Sequence, residues 1–361
     1  MHIKKLNLKN FRNYAAESIE FDAGLNVVFG KNAQGKTNCA EAVFYLCTGT
    51  SPRCKRDKQL IRTGYDTAEL SCEAYGRYGD MQISAKITEN GREFKLNGNK
   101  ITRSADILGN LFGVFFSPRE LRLIQDGPDE RRRFLNVSIS QLSKPYYTAL
   151  SRYNRVLEQR NNLLKERDTS VIFDSLPVWD RELCKYAAVV CEKRAEYIDM
   201  LAPLAREAHS YLTGGAETLD IEPDKKYKGS AAEIEKRLFA EISNGYEKDI
   251  RLGYTSCGPH RDDIDINIDG QDAKVYASQG QTRTAALSIK LAEVEIFKQL
   301  SGEYPVLILD DVTSELDLPR RKKLVERTEG LQTILTCTHA ERILVGRKSN
   351  KIRIEGGAVK R

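Results

Sequence analysis

Apolar and polar positions alternate along the first third of the chain, then fall into a longer rhythm. Ile3 to Leu8, Ser18 to Phe21 and Leu25 to Phe29 read as strands by their period of two. Between them, Asn10-Phe11-Arg12-Asn13-Tyr14 reads as a polar turn with an aromatic on each side. A helical run follows residue 36, with Ala40, Val43, Phe44 and Cys47 on one face. Residues 67–101 read as an antiparallel meander: Leu70, Cys72 and Ala74 alternate, then Met81, Ile83, Ala85 and Ile87, then Phe94 and Leu96. Asn90-Gly91 and Asn97-Gly98 are the dipeptides expected at its hairpins. Val114-Phe115-Phe116 adds a short buried strand, closed by Ser117-Pro118.

From residue 118 to about 250 the pattern is helical. Tyr147, Leu150, Asn154, Leu157, Asn161 and Leu164 form one heptad-like seam. Leu183, Ala187, Val190, Arg194, Tyr197, Leu201, Leu204, Ala208 and Tyr211 form a second, and residues 168–179, with Pro177, read as the bend between them. This predicts a short antiparallel helical arm inserted into an α/β body; an ordinary helical subdomain fits equally well. Ser230 with Glu233 is a capping box opening a further helix through Ile234, Leu238 and Ile242, which stops at Asn244-Gly245. Strands return at 252–276, where Ile264, Ile266 and Ile268 alternate, and a long helix covers about 281–300. Val306-Leu307-Ile308-Leu309 is the continuous apolar run of a parallel strand buried on both faces. Leu331 to Thr338 is the next strand, and Ile352 to Val359 a terminal hairpin. The expected division is 1–117 and 298–361 for the α/β lobe, with 118–297 as a second lobe.

Composition changes this picture little. With 361 residues, 40% hydrophobic content and a net charge of +6, the chain can bury one large core or two lobes and tolerates an acidic partner. Two basic clusters stand out: Arg53, Lys55, Arg56, Lys58 and Arg62, and Arg342, Arg347, Lys348, Lys351, Arg353, Lys360 and Arg361. Each alone reads as a solvated surface. The eight cysteines include no C-x-x-C pair, so neither a zinc site nor a secreted disulfide framework is expected. No signal peptide or membrane span is read, and a reducing cytoplasm is the expected location.

The chemistry concentrates where strand meets helix. Gly30-Lys31-Asn32-Ala33-Gln34-Gly35-Lys36-Thr37 reads G-x-x-x-x-G-K-T, the phosphate-cradling P-loop. Its glycines let backbone N–H groups curl around an anion, Lys36 adds a mobile positive charge, and the Thr37 hydroxyl can hold Mg²⁺. The apolar run ending in Asp310 and Asp311 is a Walker B pattern: Asp310 is placed to hold Mg²⁺ through water, Asp311 to polarise an attacking water. Ala277-Ser278-Gln279-Gly280-Gln281 opens a helix and makes a second anion site. Two chains arranged head to tail would use both, each placing Ser278 on the nucleotide held by the other's Lys36.

These motifs, in this order, resemble the ABC-type ATPase head and, more narrowly, its SMC-like DNA-repair branch. Leu8 to Tyr14, Asp126-Gly127-Pro128 with Arg131 to Leu135, Gly258-Pro259-His260-Arg261-Asp262-Asp263 and Ala277 to Arg283 closely resemble the RecF family of bacterial recombination mediators. The resemblance runs from end to end. It implies an ABC-like lobe and a mostly helical second lobe with a stunted arm. It also implies ATP-dependent dimerisation, DNA binding, slow hydrolysis, and recombinase placement on gapped DNA with RecO and RecR. Repair, replication restart and the SOS response are the implied settings. By the same likeness Ser278 is the signature serine with Gly280 beside it, Ser314 to Asp317 match the D-loop, Arg12 lies near the nucleotide, and His339 is placed like a switch histidine. Two departures appear. Asp311 stands where the catalytic glutamate is usual, so slow hydrolysis is expected. No Q-loop glutamine follows residue 116, and Gln125 is the nearest candidate. A P-loop kinase, a transporter's ABC subunit and a structural SMC-type head are the competing readings. The Ser278 segment weighs against the first, the Gly258-to-Asp263 segment against the second, and the short arm against the third. Arg131-Arg132-Arg133 reads either as a DNA contact or as an offset to Asp126, Asp129 and Glu130, with the structural role favoured.

Overall fold

The computed structural model describes residues 1–166, 169–223, 228–312, 316–340 and 348–360. In chain order, β1 (His2–Phe11) and β2 (Tyr14–Glu20) form a hairpin, and β3 (Leu25–Phe29) leads through the P-loop into α1 (Lys36–Thr48). Strands β4 (Thr67–Gly76), β5 (Gly79–Thr88), β6 (Gly91–Leu96) and β7 (Asn99–Ile101) are the expected meander, followed by β8 (Gly113–Phe116). The helical stretch comprises α2 (Arg122–Gln125), α3 (Pro128–Leu142), α4 (Lys144–Leu163) and α5 (Thr169–Thr213), then β9 (Leu219–Pro223), α6 (Ala231–Asn244) and α7 (Tyr246–Leu252). It is followed by β10 (Ile264–Ile268), β11 (Gln271–Asp272), α8 (Ala273–Tyr276) and α9 (Gln279–Ser301). The chain closes with β12 (Val306–Asp310), α10 (Leu318–Arg327), β13 (Thr333–Cys337), β14 (Asn350–Glu355) and β15 (Ala358–Lys360).

Two six-stranded sheets frame the head. One is antiparallel, in the order β2-β1-β4-β5-β6-β7; the other is β15-β14-β3-β13-β12-β8, parallel except for β15. Alternation assigns each parallel strand's side chains to two cores. Val28, Phe115, Val306, Ile308 and Ile334 face α1 and the antiparallel sheet. Leu25, Val27, Val114, Phe116, Leu307, Leu309, Leu335 and Cys337 face α3, α5 and α9. Helix α1 is therefore packed between two sheets, which explains why nearly all of it is buried. β12 and β13 are buried at every position, as strands covered on both faces must be.

Three expectations need correction. The bend between the seams is shorter than residues 168–179: α4 ends at Leu163, α5 starts at Thr169, and Pro177 lies inside α5. Ile172 and Leu176 bury against Leu164 there, so packing carries the helix through the bond that proline forfeits. Residues 252–276 hold only β10 and the two-residue β11, because α7 reaches Leu252 and α8 occupies Ala273–Tyr276. Within the helical stretch, β9 pairs antiparallel with β10. The expected capping box is present: the Ser230 side chain accepts from the Glu233 N–H, and the Glu233 carboxylate accepts from the Ser230 N–H. α4 and α5 run antiparallel, since Arg160 near the end of α4 meets Asp180 and Tyr146 near its start meets Arg194. α6 lays Ile234, Leu238 and Ile242 on the same cluster as Leu183 and Ala187.

Candidate nucleotide site

The C-terminal ends of β3, β12 and β13 meet at one edge of the parallel sheet, where open α/β folds place their ligands. From β3 the chain turns through Gly30 (φ +151°) and Gly35 (φ +118°), conformations that side chains disfavour. Neither glycine has room for more. A Cβ on Gly30 would stand 2.3 Å from the Ile354 carbonyl oxygen, and one on Gly35 2.8 Å from Asn13 Nδ2. Two turns brace the loop from opposite sides. Asn13 Nδ2 donates to the Gln34 carbonyl at 2.9 Å, and the Tyr14 hydroxyl to the Gly35 carbonyl at 2.9 Å. From the other side, the Gly357 N–H donates to the Gln34 carbonyl at 2.9 Å and the Gly356 N–H to Gln34 Oε1 at 2.7 Å.

Lys36 Nζ donates to the carbonyls of Gly30 and Lys31 at 2.8 and 2.7 Å, so the ammonium arches over its own loop. Burial lowers its pKa, opposed by the charges of Asp311 and Asp310. Thr37 Oγ1 donates to Asp310 Oδ1 at 2.9 Å, and Thr336 Oγ1 donates to the same oxygen at 2.7 Å. The Asp311 N–H in turn donates to Thr336 Oγ1 at 3.0 Å. One buried hydroxyl thus fixes both acids, and Asp311 holds the left-handed φ of +54° that turns the chain there. Burial raises the pKa of Asp310, against the lowering effect of its bonds from Thr336 and Thr37. The donor set suits Mg²⁺: a hydroxyl and one carboxylate already within hydrogen-bond reach, with remaining ligands left to phosphate and water. Among the described residues, no cluster of three His, Cys, Asp or Glu offers an all-protein metal cage.

Ser278 caps α9. Its Oγ accepts from the Gln281 N–H at 3.2 Å, and its N–H donates to Gln281 Oε1 at 2.9 Å. Within one chain, no hydrogen bond or ion pair among the described residues joins Ser278 or Gly280 to the P-loop, Thr37 or Asp310. Arg12 reaches the P-loop helix one turn past Thr37: its Nε and Nη2 grip both oxygens of Glu41 on α1 at 2.9 and 2.8 Å, and Nη1 donates to the Gln59 carbonyl. Gln125 is exposed at the end of α2, and His339 is exposed just after β13 with Nδ1 3.0 Å from Thr338 Oγ1. Ser314 and Glu315, two of the four residues of the expected D-loop, lie outside the described residues, as do Arg342, Arg347 and Arg361 of the second basic cluster.

Sequence reasoning missed the supports. Asn13, Tyr14, Glu41, Gly357 and Thr336 shape the site without belonging to its motifs. The polar turn between aromatics and the Gly356-Gly357 pair were their only visible signals. The Arg131-Arg132-Arg133 run is built inward: Arg131 forms a bidentate pair with Asp263 at 2.6 and 2.7 Å, and Arg132 and Arg133 donate to the Asp262 and Pro52 carbonyls.

The model of the RecF/RecN/SMC N terminal domain matches residues 2–359. The chain belongs to this family. Among similar proteins, the DNA replication and repair protein RecF of Ruminiclostridium cellulolyticum is 37% identical over 99% of both chains. RecF of Halothermothrix orenii is 41% identical over 94% of this chain and 92% of its own. A solved structure of the recombination mediator RecF with ATP, in the RecFOR pathway, superposes with a TM-score of 0.91 at 33% identity, covering 99% of this chain and 97% of that one. An SMC head bound to the C-winged helix domain of ScpA matches at a TM-score of 0.58 and 17% identity over 100% and 96% of the two chains, a likeness of fold. The RecF-family chain therefore has the ABC/SMC-type ATPase head, with a helical lobe and short arm inserted, and is a DNA replication and repair protein. No helix among the described residues is long and apolar enough to cross a membrane.

Proposed function

We infer that this chain is an ATP-gated DNA-binding switch of recombinational repair. Gly30 to Thr37 would cradle the β- and γ-phosphates, Lys36 would neutralise them, and Thr37 with Asp310 would hold Mg²⁺. Asp311 would polarise the attacking water, its short side chain keeping hydrolysis slow. Arg12 would act from the nucleotide's flank by holding α1 through Glu41. The two-lobe division is 1–117 with 298–361, against 118–297. The observation that carries the reading is the separation of two half-sites: the Thr37–Asp310 pair is assembled at 2.9 Å, while Ser278 is capped and presented on another helix. Two chains head to tail complete both sites, and ATP then times the closing and release of a dimer on DNA. Lys55, Arg56 and Lys58 are exposed and form no ion pair among the described residues, which suits a sequence-indifferent, salt-sensitive grip on phosphates. RecO- and RecR-type mediators and recombinase would be the partners, in repair, replication restart and the SOS response, in the cytoplasm.

Light scattering with ATP tests the closure. Ser278→Arg should bind nucleotide as a monomer and fail to dimerise; a dimer equal to wild type would refute the sandwich.

A further inference from the structure

The first turn of α9 contains no acidic residue, although helix N-termini attract negative charge. A cation stands beside it instead. A Cβ placed on Gly280 would lie 3.9 Å from Ser278 Oγ and 4.0 Å from Arg320 Nη1. One point at the mouth of the helix is thus within reach of a hydroxyl, a guanidinium and the end of the helix dipole. Among the described residues Ser278 Oγ is engaged only as an acceptor, from Gln281 N–H, so its own proton can be offered to an anion.

Arg320 is held on α10 in a way that aims rather than satisfies it. Asp317 Oδ1 caps α10 by accepting from the Arg320 N–H at 2.9 Å, and Asp317 Oδ2 meets Arg320 Nη1 at a long 3.3 Å. Among the described residues that is the guanidinium's one carboxylate, and it is itself half exposed. A single, long, solvated ion pair is weak. A phosphate oxygen arriving at Ser278 and Gly280 offers the same guanidinium a stronger, charge-assisted bond.

We propose that Arg320 contacts the terminal phosphate of the nucleotide held by the partner's P-loop, acting in trans beside Ser278 and Gly280. This rests on the composite-site reading above. It assigns to α10, which carries none of the recognised motifs, a charge that each subunit lends to the other.

Arg320→Ala should bind a fluorescent ATP analogue as the wild-type monomer does, yet lose roughly tenfold to hundredfold in ATP hydrolysis and in ATP-induced dimerisation. Mixing supplies the decisive readout. In a mixed dimer of Arg320→Ala with Lys36→Ala, the only intact P-loop faces the only intact Arg320. Hydrolysis should therefore rise well above that of either variant alone. A residue serving only its own chain gives no recovery. The control is Ser278→Arg mixed with Lys36→Ala. If the control recovers and the Arg320 mixture does not, the assignment of Arg320 is wrong and the composite site stands. If the control also stays inactive, the composite site itself fails and Arg320 falls with it. An Arg320→Ala protein that dimerises and turns over like wild type overturns the proposal outright.

Discussion

The head and the arm solve the problem of holding side chains still in opposite ways. In the head, β12 and β13 are buried along their length, and near their C-terminal ends Asp310 accepts from both Thr336 and Thr37. In the arm, charge lies in the interior. Arg160, fully buried, bonds Asp180 at 2.6 Å, Asp249 at 2.7 Å and Thr255 at 2.8 Å. Farther along, Arg194 donates to the Pro259 carbonyl and Asn136, while His260 bridges the Tyr153 hydroxyl and the Thr255 carbonyl. Apolar packing is indifferent to direction, whereas buried hydrogen-bonded charges are strongly directional. Along β12 and β13 the head fixes positions by shape and keeps charge for the strand ends; its buried carboxylate, Glu41, lies on α1 and is held by Arg12. The arm uses charge to set the angles at which a few helices meet.

The sharpest way to break this contrast is to remove one member of the arm's buried set. Arg160→Met leaves two buried carboxylates uncompensated and should cost about 3–5 kcal/mol in urea unfolding. Binding of a fluorescent ATP analogue should survive if the head stands on its own packing; loss of both together would show one cooperative unit. Acid is the next lever. Burial lowers the His260 pKa from 6.5 to about 4, helped by the charges of Arg261 and Arg132 and opposed by the bond to the Thr255 carbonyl. Between those values the unfolded chain takes up a proton that the folded one refuses, so stability falls as pH falls, by up to about 3 kcal/mol from the shift of 6.5 to about 4. His260→Gln should flatten that slope when unfolding midpoints at pH 7 and pH 4.5 are compared. In the head the sign reverses. Asp310→Asn should slow ATP hydrolysis at least about a hundredfold, about 2.7 kcal/mol of barrier. Its thermal midpoint should nonetheless equal or exceed wild type, since burial already disfavours the ionised Asp310. A marked loss of stability would mean that the head, too, depends on buried charge.

What could be read from the chain follows the same divide. Val306 to Leu309 and the Asn97-Gly98 turn are local signals: an apolar run fixes burial, and a dipeptide fixes a hairpin. The P-loop is equally local, and its strand and helix flank it in sequence. The arm's ties are not local. Arg160 finds Asp180 twenty residues away and Asp249 eighty-nine away, and no periodicity marks either. Strand β9 was hidden for a related reason: its partner β10 arrives only after two further helices. Arg12 shows the limit of resemblance, since its guanidinium is taken up by Glu41, a buried residue on α1 that no motif names.

The clasp on the P-loop has a consequence for how the protein is made. One half, Asn13 and Tyr14, leaves the ribosome before the loop does; the other, Gly356 and Gly357, emerges more than three hundred residues later. Until that last hairpin docks, Gln34 lacks two of its restraints and β3 lacks its parallel neighbour β14. Nascent and prematurely terminated polypeptides therefore lack half of the clasp that shapes the phosphate cradle.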